Sequence, residues 1–128
     1  MPRPEMVALG RKLDALNEQI AQIEAHLKEM FNVTASVRVF DENGPLDVAL
    51  GFGKLANKWQ LFLMMPDGAR LPLNNGPRQY RLAAVGVLDH LVAALEDEER
   101  LQDVKVTAAS SAADAFLRHV AKRNKESP

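Results

Sequence analysis

The sequence predicts an α+β domain: a long N-terminal helix, then an antiparallel sheet of three to four strands, then two C-terminal helices. Three observations lead to this fold class. Apolar residues near the N-terminus follow a helical repeat without a break. The pattern then changes to alternation, in short segments that turn residues separate. Two further helical stretches follow, and antiparallel strands with helices packed on them make an α+β domain.

Length and composition limit what the chain can be. Its 128 residues are enough for one domain with one core, which we predict over residues 1–121. The 16 Lys and Arg against 17 Asp and Glu give a net charge of −1. A protein that binds duplex nucleic acid by bulk electrostatics usually carries a basic excess instead. The chain has no cysteine, which excludes disulfides, thiolate zinc sites and cysteine nucleophiles.

No segment of the sequence has the pattern of a targeting or membrane signal. The N-terminus lacks the continuous apolar run of a signal peptide. No apolar stretch approaches the roughly 18 residues that a membrane span needs. We therefore expect a cytoplasmic protein with no membrane partner.

The first helix is predicted over residues 4–30. Pro2 and Pro4 suit its start, and Asn32 suits its end. Its apolar residues are spaced alternately by three and four positions, the a and d spacing of a heptad repeat, for about three and a half heptads. We call seven of them the N-terminal ridge and predict that they form an interface: Met6, Leu9, Leu13, Leu16, Ile20, Ile23 and Leu27. Met30 continues the same spacing.

Two kinds of cover are open to the N-terminal ridge. The helix can lie across the sheet of its own domain, or it can pack against another helix, most simply that of a second copy. A helix of about 25 residues is about 37 Å long, whereas a strand of about eight residues spans about 26 Å. Because the sheet is too short to cover the whole ridge, we favour a homodimer. One of the later helices of the same chain is the other possible source of cover.

The strands are predicted from alternation between turn residues. They are residues 33–40, 47–55, 59–65 and, as a short edge strand, 69–73. Pro72 suits an edge strand, because it cannot donate a hydrogen bond to a second neighbour. The third strand is apolar on both faces, so we expect the sheet to be covered on both sides.

Two helices complete the predicted order. The second opens at residues 74–77 and frays after Glu96, and residues 104–106 fit either a short strand or a loop. The third starts at Ser111, because Ser111 and Asp114 have the spacing of a capping box. Residues 122–128 are polar, and we expect them to form a disordered tail.

The start of the second helix breaks a local rule. Arg78 and Arg81 lie in its first turns, which opposes the helix dipole by about 0.3–1 kcal/mol per charge. Backbone N–H groups after Asn75 and Gly76, together with the two arginines and Tyr80, would hold an anion or phosphate. The alternative is that the arginines pair with carboxylates of the same chain.

Other motifs of chemical interest are incomplete. Gly51-Phe52-Gly53 lacks the third glycine and the helix of a dinucleotide fingerprint, so we interpret it as close backbone packing or a bulge. His26, His90 and His119 fall on three separate predicted helices without a second ligand three or four residues away, so we predict no metal site. No titratable side chains converge at usable spacing, so we predict neither an enzyme nor a cofactor.

The order of elements resembles that of double-stranded-RNA-binding domains over about residues 5–95. That family has a lysine cluster at the start of its second helix, where this chain has Pro77-Arg78-Gln79-Tyr80-Arg81. The first helix is also about twice as long as that family implies. Small dimeric secretion chaperones share the N-terminal amphipathic helix and antiparallel sheet in outline. Both resemblances concern element order alone and assign no function.

The sequence therefore predicts a small non-catalytic protein that acts as a homo-oligomeric protein-binding module, an adaptor or chaperone-like protein. It would use the N-terminal ridge or the second face of the sheet to bind an unidentified protein. The alternative is a module that binds nucleic acid or a phosphate ligand through the arginines of the second helix. The net charge makes nucleic acid the less favoured partner.

Overall fold

The computed structural model describes residues 3–126 and confirms the α+β arrangement. The helices are α1 (Pro4–Met30), α2 (Arg78–Val85) and α3 (Leu88–Glu126). The strands are β1 (Ala35–Asp41), β2 (Gly44–Leu55), β3 (Lys58–Met64) and β4 (Arg70–Pro72), and a 3-10 turn, Leu73–Asn75, leads from β4 towards α2. Residues 1, 2, 127 and 128, which include the end of the predicted tail, lie outside the described residues.

The four strands lie side by side in sequence order, each antiparallel to the next. Short turns produce this order: two residues join β1 to β2 and β2 to β3, and residues 65–69 join β3 to β4. Ala56 and Asn57 join β2 to β3 with φ angles of +52° and +64°. Two adjacent residues at positive φ give the turn whose twist best matches a hairpin. β4 is the predicted edge strand, and it ends at Pro72.

The helices build one core on one face of the sheet. The strand registers place Leu50 opposite Leu63 and Phe52 opposite Leu61, and all four side chains are fully buried. The helical side chains buried in the same cluster are Ile20 and Leu27 of α1, Ala84 of α2, and Leu91 and Leu95 of α3. Each helix therefore contributes an apolar stripe to the same side of the sheet.

Phe62, on the opposite face of the sheet, is buried without belonging to this core. Its ring lies against Gly51, where a Cβ atom would come within 2.5 Å of the ring. The Arg70 guanidinium lies 5.3 Å from the ring centroid, and Phe62 is 2% exposed. The expected cover on both sides of the sheet is therefore wrong for whole elements: the helices cover one face, and on the second face a glycine and an arginine shield Phe62. The structure confirms the close packing predicted for Gly51-Phe52-Gly53, because a Cβ atom at Gly53 would lie 2.7 Å from Thr34.

The boundaries of the C-terminal helices differ from the prediction. The second helix ends at Val85, where Gly86 N–H and Val87 N–H donate to the carbonyl groups of Ala83 and Ala84 in a tight last turn. From Leu88 onward there is no glycine or proline before Pro128, and α3 runs unbroken for 39 residues.

Three expectations about this region are corrected by the continuous helix. Residues 104–106 are helical and form neither a strand nor a loop. Ser111 and Asp114 lie inside α3, so the predicted capping box is wrong. Residues 122–126 are helical where a disordered tail was expected. A single capping pattern without a helix breaker is too weak a signal to start a new helix.

Candidate interface on the outer segments of α1 and α3

The N-terminal ridge is divided between the core and the surface. Ile20 and Leu27 are 1% and 3% exposed, and they pack against the sheet. Leu13, Leu16 and Ile23 are half-buried. Met6 and Leu9 are 59% and 49% exposed. The second half of α1 therefore docks on the sheet, while the first half carries the same ridge beyond it.

Polar contacts fix the docked half of α1. The Glu24 carboxylate accepts a hydrogen bond of 2.9 Å from the backbone N–H of Leu61 in β3. β4 pairs with β3 only at Phe62 to Met64, so Glu24 takes the place of a neighbouring strand at Leu61. Lys28 lies 3.8 Å from the same carboxylate. A charged acceptor bound to a partly buried N–H holds the helix in one position on the sheet edge.

The α3 helix is divided in the same way. Leu91 and Leu95 are fully buried, and the ring of His90 lies 5.7 Å from that of Phe40 in β1. Beyond residue 99 the side chains are mostly exposed. The exposed large apolar side chains there are Leu101, Val104, Val106, Phe116 and Leu117. A helix of 39 residues is about 58 Å long, more than twice the length of a seven-residue strand such as β1.

A second heptad ridge runs along the outer part of α3. Val106, Ala109, Ala113, Phe116 and Val120 are spaced 3, 4, 3 and 4, and we call them the C-terminal ridge. The same spacing leads back through Gln102 and Glu99 to Leu95, so the ridge lies on the helix face that enters the core. Sequence reasoning missed this ridge because it divided the segment between a loop and a new helix.

We call residues 4–16 of α1 and residues 100–125 of α3 the outer segments. Among residues 3–126, eleven large hydrophobic side chains are exposed, and eight of them lie on these two segments. They are Met6, Val7 and Leu9 on α1 and the five named above on α3. Concentrations of exposed apolar side chains of this kind mark interaction surfaces.

A depression of about 600 Å³ lies where the outer segment of α3 leaves the sheet. It is bounded by residues 32–34 ahead of β1 and by one side of α3. The α3 residues that line it are Glu98, Glu99, Gln102, Asp103 and Val106. Three carboxylates beside two valines, Val33 and Val106, make it an acidic groove with an apolar wall, and we call it the acidic groove.

The five residues of the predicted anion site lie together at the start of α2, but three of them are engaged within the chain. The Gly76 N–H donates to the Leu73 carbonyl at 3.1 Å. The Arg81 guanidinium donates to the Asn74 carbonyl at 3.1 Å, so it pairs with a backbone acceptor and not with the carboxylate that the alternative expected. Tyr80 packs against the core. Asn75 and Arg78 are exposed.

The histidines are placed differently from the expectation of three separate helices. His26 lies on α1, whereas His90 and His119 both lie on α3, far apart along it. Within residues 3–126, no group of three His, Asp or Glu side chains is arranged to hold a metal ion. In the same residues, no helix has the length and apolar character needed to cross a bilayer.

Comparison of the chain with protein-family models, with curated proteins and with solved structures finds no match. The candidate interface therefore rests on the residues and geometry described above.

Proposed function

We propose that the chain is a non-catalytic, homo-oligomeric protein-binding module of the cytoplasm, adaptor-like or chaperone-like, which works through its outer segments. The observation that carries this proposal is the division of both long helices. In α1 an apolar ridge starts in the core and continues beyond the sheet. In α3 the same spacing leads from the buried Leu95 through Glu99 and Gln102 to the C-terminal ridge.

The energetics support a partner for these segments. Burying apolar surface is favourable by about 25 cal/mol per Å², so a ridge left in water forgoes that stabilisation. Most helical stability in proteins also comes from packing of an amphipathic face. The outer segment of α3 contains Val104, Val106, Thr107 and two serines, which are poor helix formers. A protein partner that covers the ridges would stabilise both helices.

The first test is the mass in solution, measured by light scattering coupled to gel filtration at tens of micromolar. We expect at least twice the protomer mass of 14.1 kDa. Met6→Glu with Leu9→Glu places charge on the exposed part of the N-terminal ridge, and we expect it to lower the measured mass.

Ala8→Glu with Ala15→Glu is the matched control for this test. Both alanines are exposed and lie on the opposite face of α1, so these changes should leave the mass unchanged. All variants should retain the helical circular dichroism of the parent. A parent mass of 14.1 kDa at these concentrations would contradict the proposal.

The alternative function, binding of nucleic acid or a phosphate ligand at the start of α2, has less support. Two of the groups that would hold the anion, the Gly76 N–H and the Arg81 guanidinium, already donate to acceptors inside the chain.

A further inference from the structure

We propose that the C-terminal ridge pairs with the same ridge of a second copy in antiparallel orientation, so that the basic end of each α3 lies along the acidic groove of the other. This inference rests on the proposed function and adds the orientation, register and contact residues of the self-association. It draws on the spacing of the ridge, the charges along α3, the side-chain sizes and the position of the groove.

The spacing of the ridge is symmetric about residue 111. Gln102, Val106 and Ala109 precede this point at intervals of 4 and 3, and Ala113, Phe116 and Val120 follow it at intervals of 3 and 4. In a two-fold interface, if residue i of one copy contacts residue j of the other, then residue j of the first copy also contacts residue i of the second. An antiparallel pair centred on residue 111 therefore places Val106 against Phe116, Ala109 against Ala113, and Gln102 against Val120.

The charges along α3 favour the same arrangement. Residues 96–103 contain five acidic residues and one arginine, whereas residues 118–125 contain four basic residues and no acidic one. An antiparallel pair centred on residue 111 aligns each acidic stretch with the basic stretch of the other copy, and it places Glu99 near Arg123. A parallel pair would align acid with acid and base with base, which disfavours that orientation.

The side chains at the centre are small. Residues 108–113 are all alanine or serine, and all six are exposed. Helices approach most closely where the side chains between them are smallest, down to about 8 Å between axes. The larger Val106 and Phe116 lie one turn further out, and the Val106 of each copy faces the Phe116 of the other at either end of the centre.

The acidic groove lies where this register places the end of the partner helix. Residues 99–106 of one copy run beside residues 116–123 of the other. The α3 residues that line the groove lie between 98 and 106, and Val106 is the part of its apolar wall that α3 supplies. The partner's Phe116 would therefore meet Val106 of the apolar wall, and the partner's Arg123 would meet the carboxylate of Glu99. A second copy therefore supplies the charge and the apolar side chain that complement this groove.

Engineered cysteines test the orientation directly, because the chain has no cysteine of its own. Ser110 lies beside the two-fold axis on the flank of the ridge, whereas Ser111 points to the opposite side of the helix. Both serines are exposed, so each Ser→Cys variant should fold as the parent does. Under mild oxidation we expect Ser110→Cys to give disulfide-linked dimer at least tenfold more completely than Ser111→Cys.

A mixing experiment tests the register. Two Phe116 positions lie about 15 Å apart along an antiparallel pair with this centre. Phe116→Cys alone should therefore cross-link poorly, and it should cross-link efficiently when mixed with Val106→Cys. Efficient cross-linking of Phe116→Cys alone, with none for Ser110→Cys, shows a parallel pair and overturns the inference.

Charge reversal tests the contact with the groove in chains without cysteine. Glu99→Arg and Arg123→Glu each place like charges together, and each should reduce the dimer fraction at least fivefold at low salt. The double variant Glu99→Arg/Arg123→Glu should restore it, and added salt should weaken all these effects. Failure of the double variant to restore the dimer overturns the proposed register.

The outcomes separate this inference from the proposed function. A monomeric parent removes both. An oligomeric parent in which neither Ser110→Cys nor the Val106→Cys and Phe116→Cys mixture cross-links removes only the antiparallel α3 pair. The proposed function would then stand on the N-terminal ridge, and the C-terminal ridge would be left for a different protein.

Discussion

The docked and outer segments of the two long helices share one spacing but lie in different surroundings. In α1, the ridge residues Ile20 and Leu27 are buried by the sheet, while Met6 and Leu9 extend beyond it. In α3, Leu95 is fully buried, while Phe116 is 65% exposed. The difference shows that heptad spacing predicts a helix with one face to be covered. It does not specify whether the cover comes from the same chain.

The two kinds of segment also differ in the size of their ridge residues. The docked stretch of α3 presents leucines at positions 88, 91 and 95, whereas the C-terminal ridge contains Ala109 and Ala113 at its centre. Long side chains can reach into the core of a sheet, while alanines make contact only with a surface that comes close. Another helix can come that close, so the outer segment of α3 is better suited to a helix than to a sheet.

The largest difference in stability should appear between two alanine variants of α3, one in the docked stretch and one in the outer segment. Leu95→Ala leaves a cavity in the core, and we expect it to lower the free energy of unfolding by about 2–5 kcal/mol. Urea unfolding monitored by circular dichroism should show the same loss at about 2 and at about 50 μM protein. Over this roughly 25-fold range of protein concentration, a loss that came from weaker association would change.

Phe116→Ala is the counterpart in the outer segment. Its effect should depend on protein concentration, because it acts on association and not on the core of the protomer. At the lower concentration the variant should unfold within about 0.5 kcal/mol of the parent, as for a surface substitution. A loss from Phe116→Ala that is as large as that from Leu95→Ala, and independent of concentration, would show that the outer segment is part of the protomer core.

Alanine variants of Glu24 and Glu5 compare how much a carboxylate contributes to stability in the docked half and in the outer half of α1. Glu24→Ala leaves the N–H of Leu61 without its charged acceptor, so we expect it to lower the free energy of unfolding by about 1.5–3 kcal/mol. Glu24→Gln keeps an acceptor oxygen and should lose less. Glu5→Ala removes an exposed carboxylate from the first turn of α1, and it should cost at most about 1 kcal/mol. Equal losses from Glu24→Ala and Glu5→Ala in urea unfolding would contradict the docking of α1 through Glu24.

The sequence predicted the fold class because its strongest signals are local. The a and d spacing of α1 and the turn residues between the strands determine the element order with no knowledge of tertiary contacts. The cover of the second sheet face was mispredicted, because the fit of Phe62 on Gly51 depends on the register of two strands. Register follows from packing on the whole sheet and is not visible in either strand alone.

The candidate interface was predictable only in part. The N-terminal ridge could be listed from spacing, but its division at about residue 16 depends on where the sheet ends. The C-terminal ridge was hidden because Val104, Val106 and the serines at 110 and 111 have weak helix propensity. Their helical state follows from the stable helix that precedes them and from the lack of a breaker.

Arg81 and Arg78 separate a structural role from anion binding at the start of α2. Arg81→Ala removes the hydrogen bond to the Asn74 carbonyl and should lower the free energy of unfolding by about 1 kcal/mol. Arg78→Ala changes an exposed side chain and should stay within about 0.5 kcal/mol of the parent. Millimolar phosphate should shift the melting temperature of the parent and of both variants equally. A phosphate-dependent stabilisation of the parent that Arg78→Ala abolishes would favour the alternative function.

Substitution of Gly10 should give the smallest change in stability, and it tests whether another helix lies close to the outer segment of α1. It is an exposed helical residue, and a Cβ atom there would have no neighbour within 4 Å. Gly10→Ala should therefore raise the free energy of unfolding by about 0.5–1 kcal/mol, and Ala8→Gly in the same segment should lower it by a similar amount. If Gly10→Ala instead lowers both stability and oligomer mass, another helix approaches α1 closely at this glycine. The outer segment of α1 would then be a direct contact between copies. Within one protomer nothing lies close enough to clash with a methyl group at residue 10, so the clash would have to come from a partner.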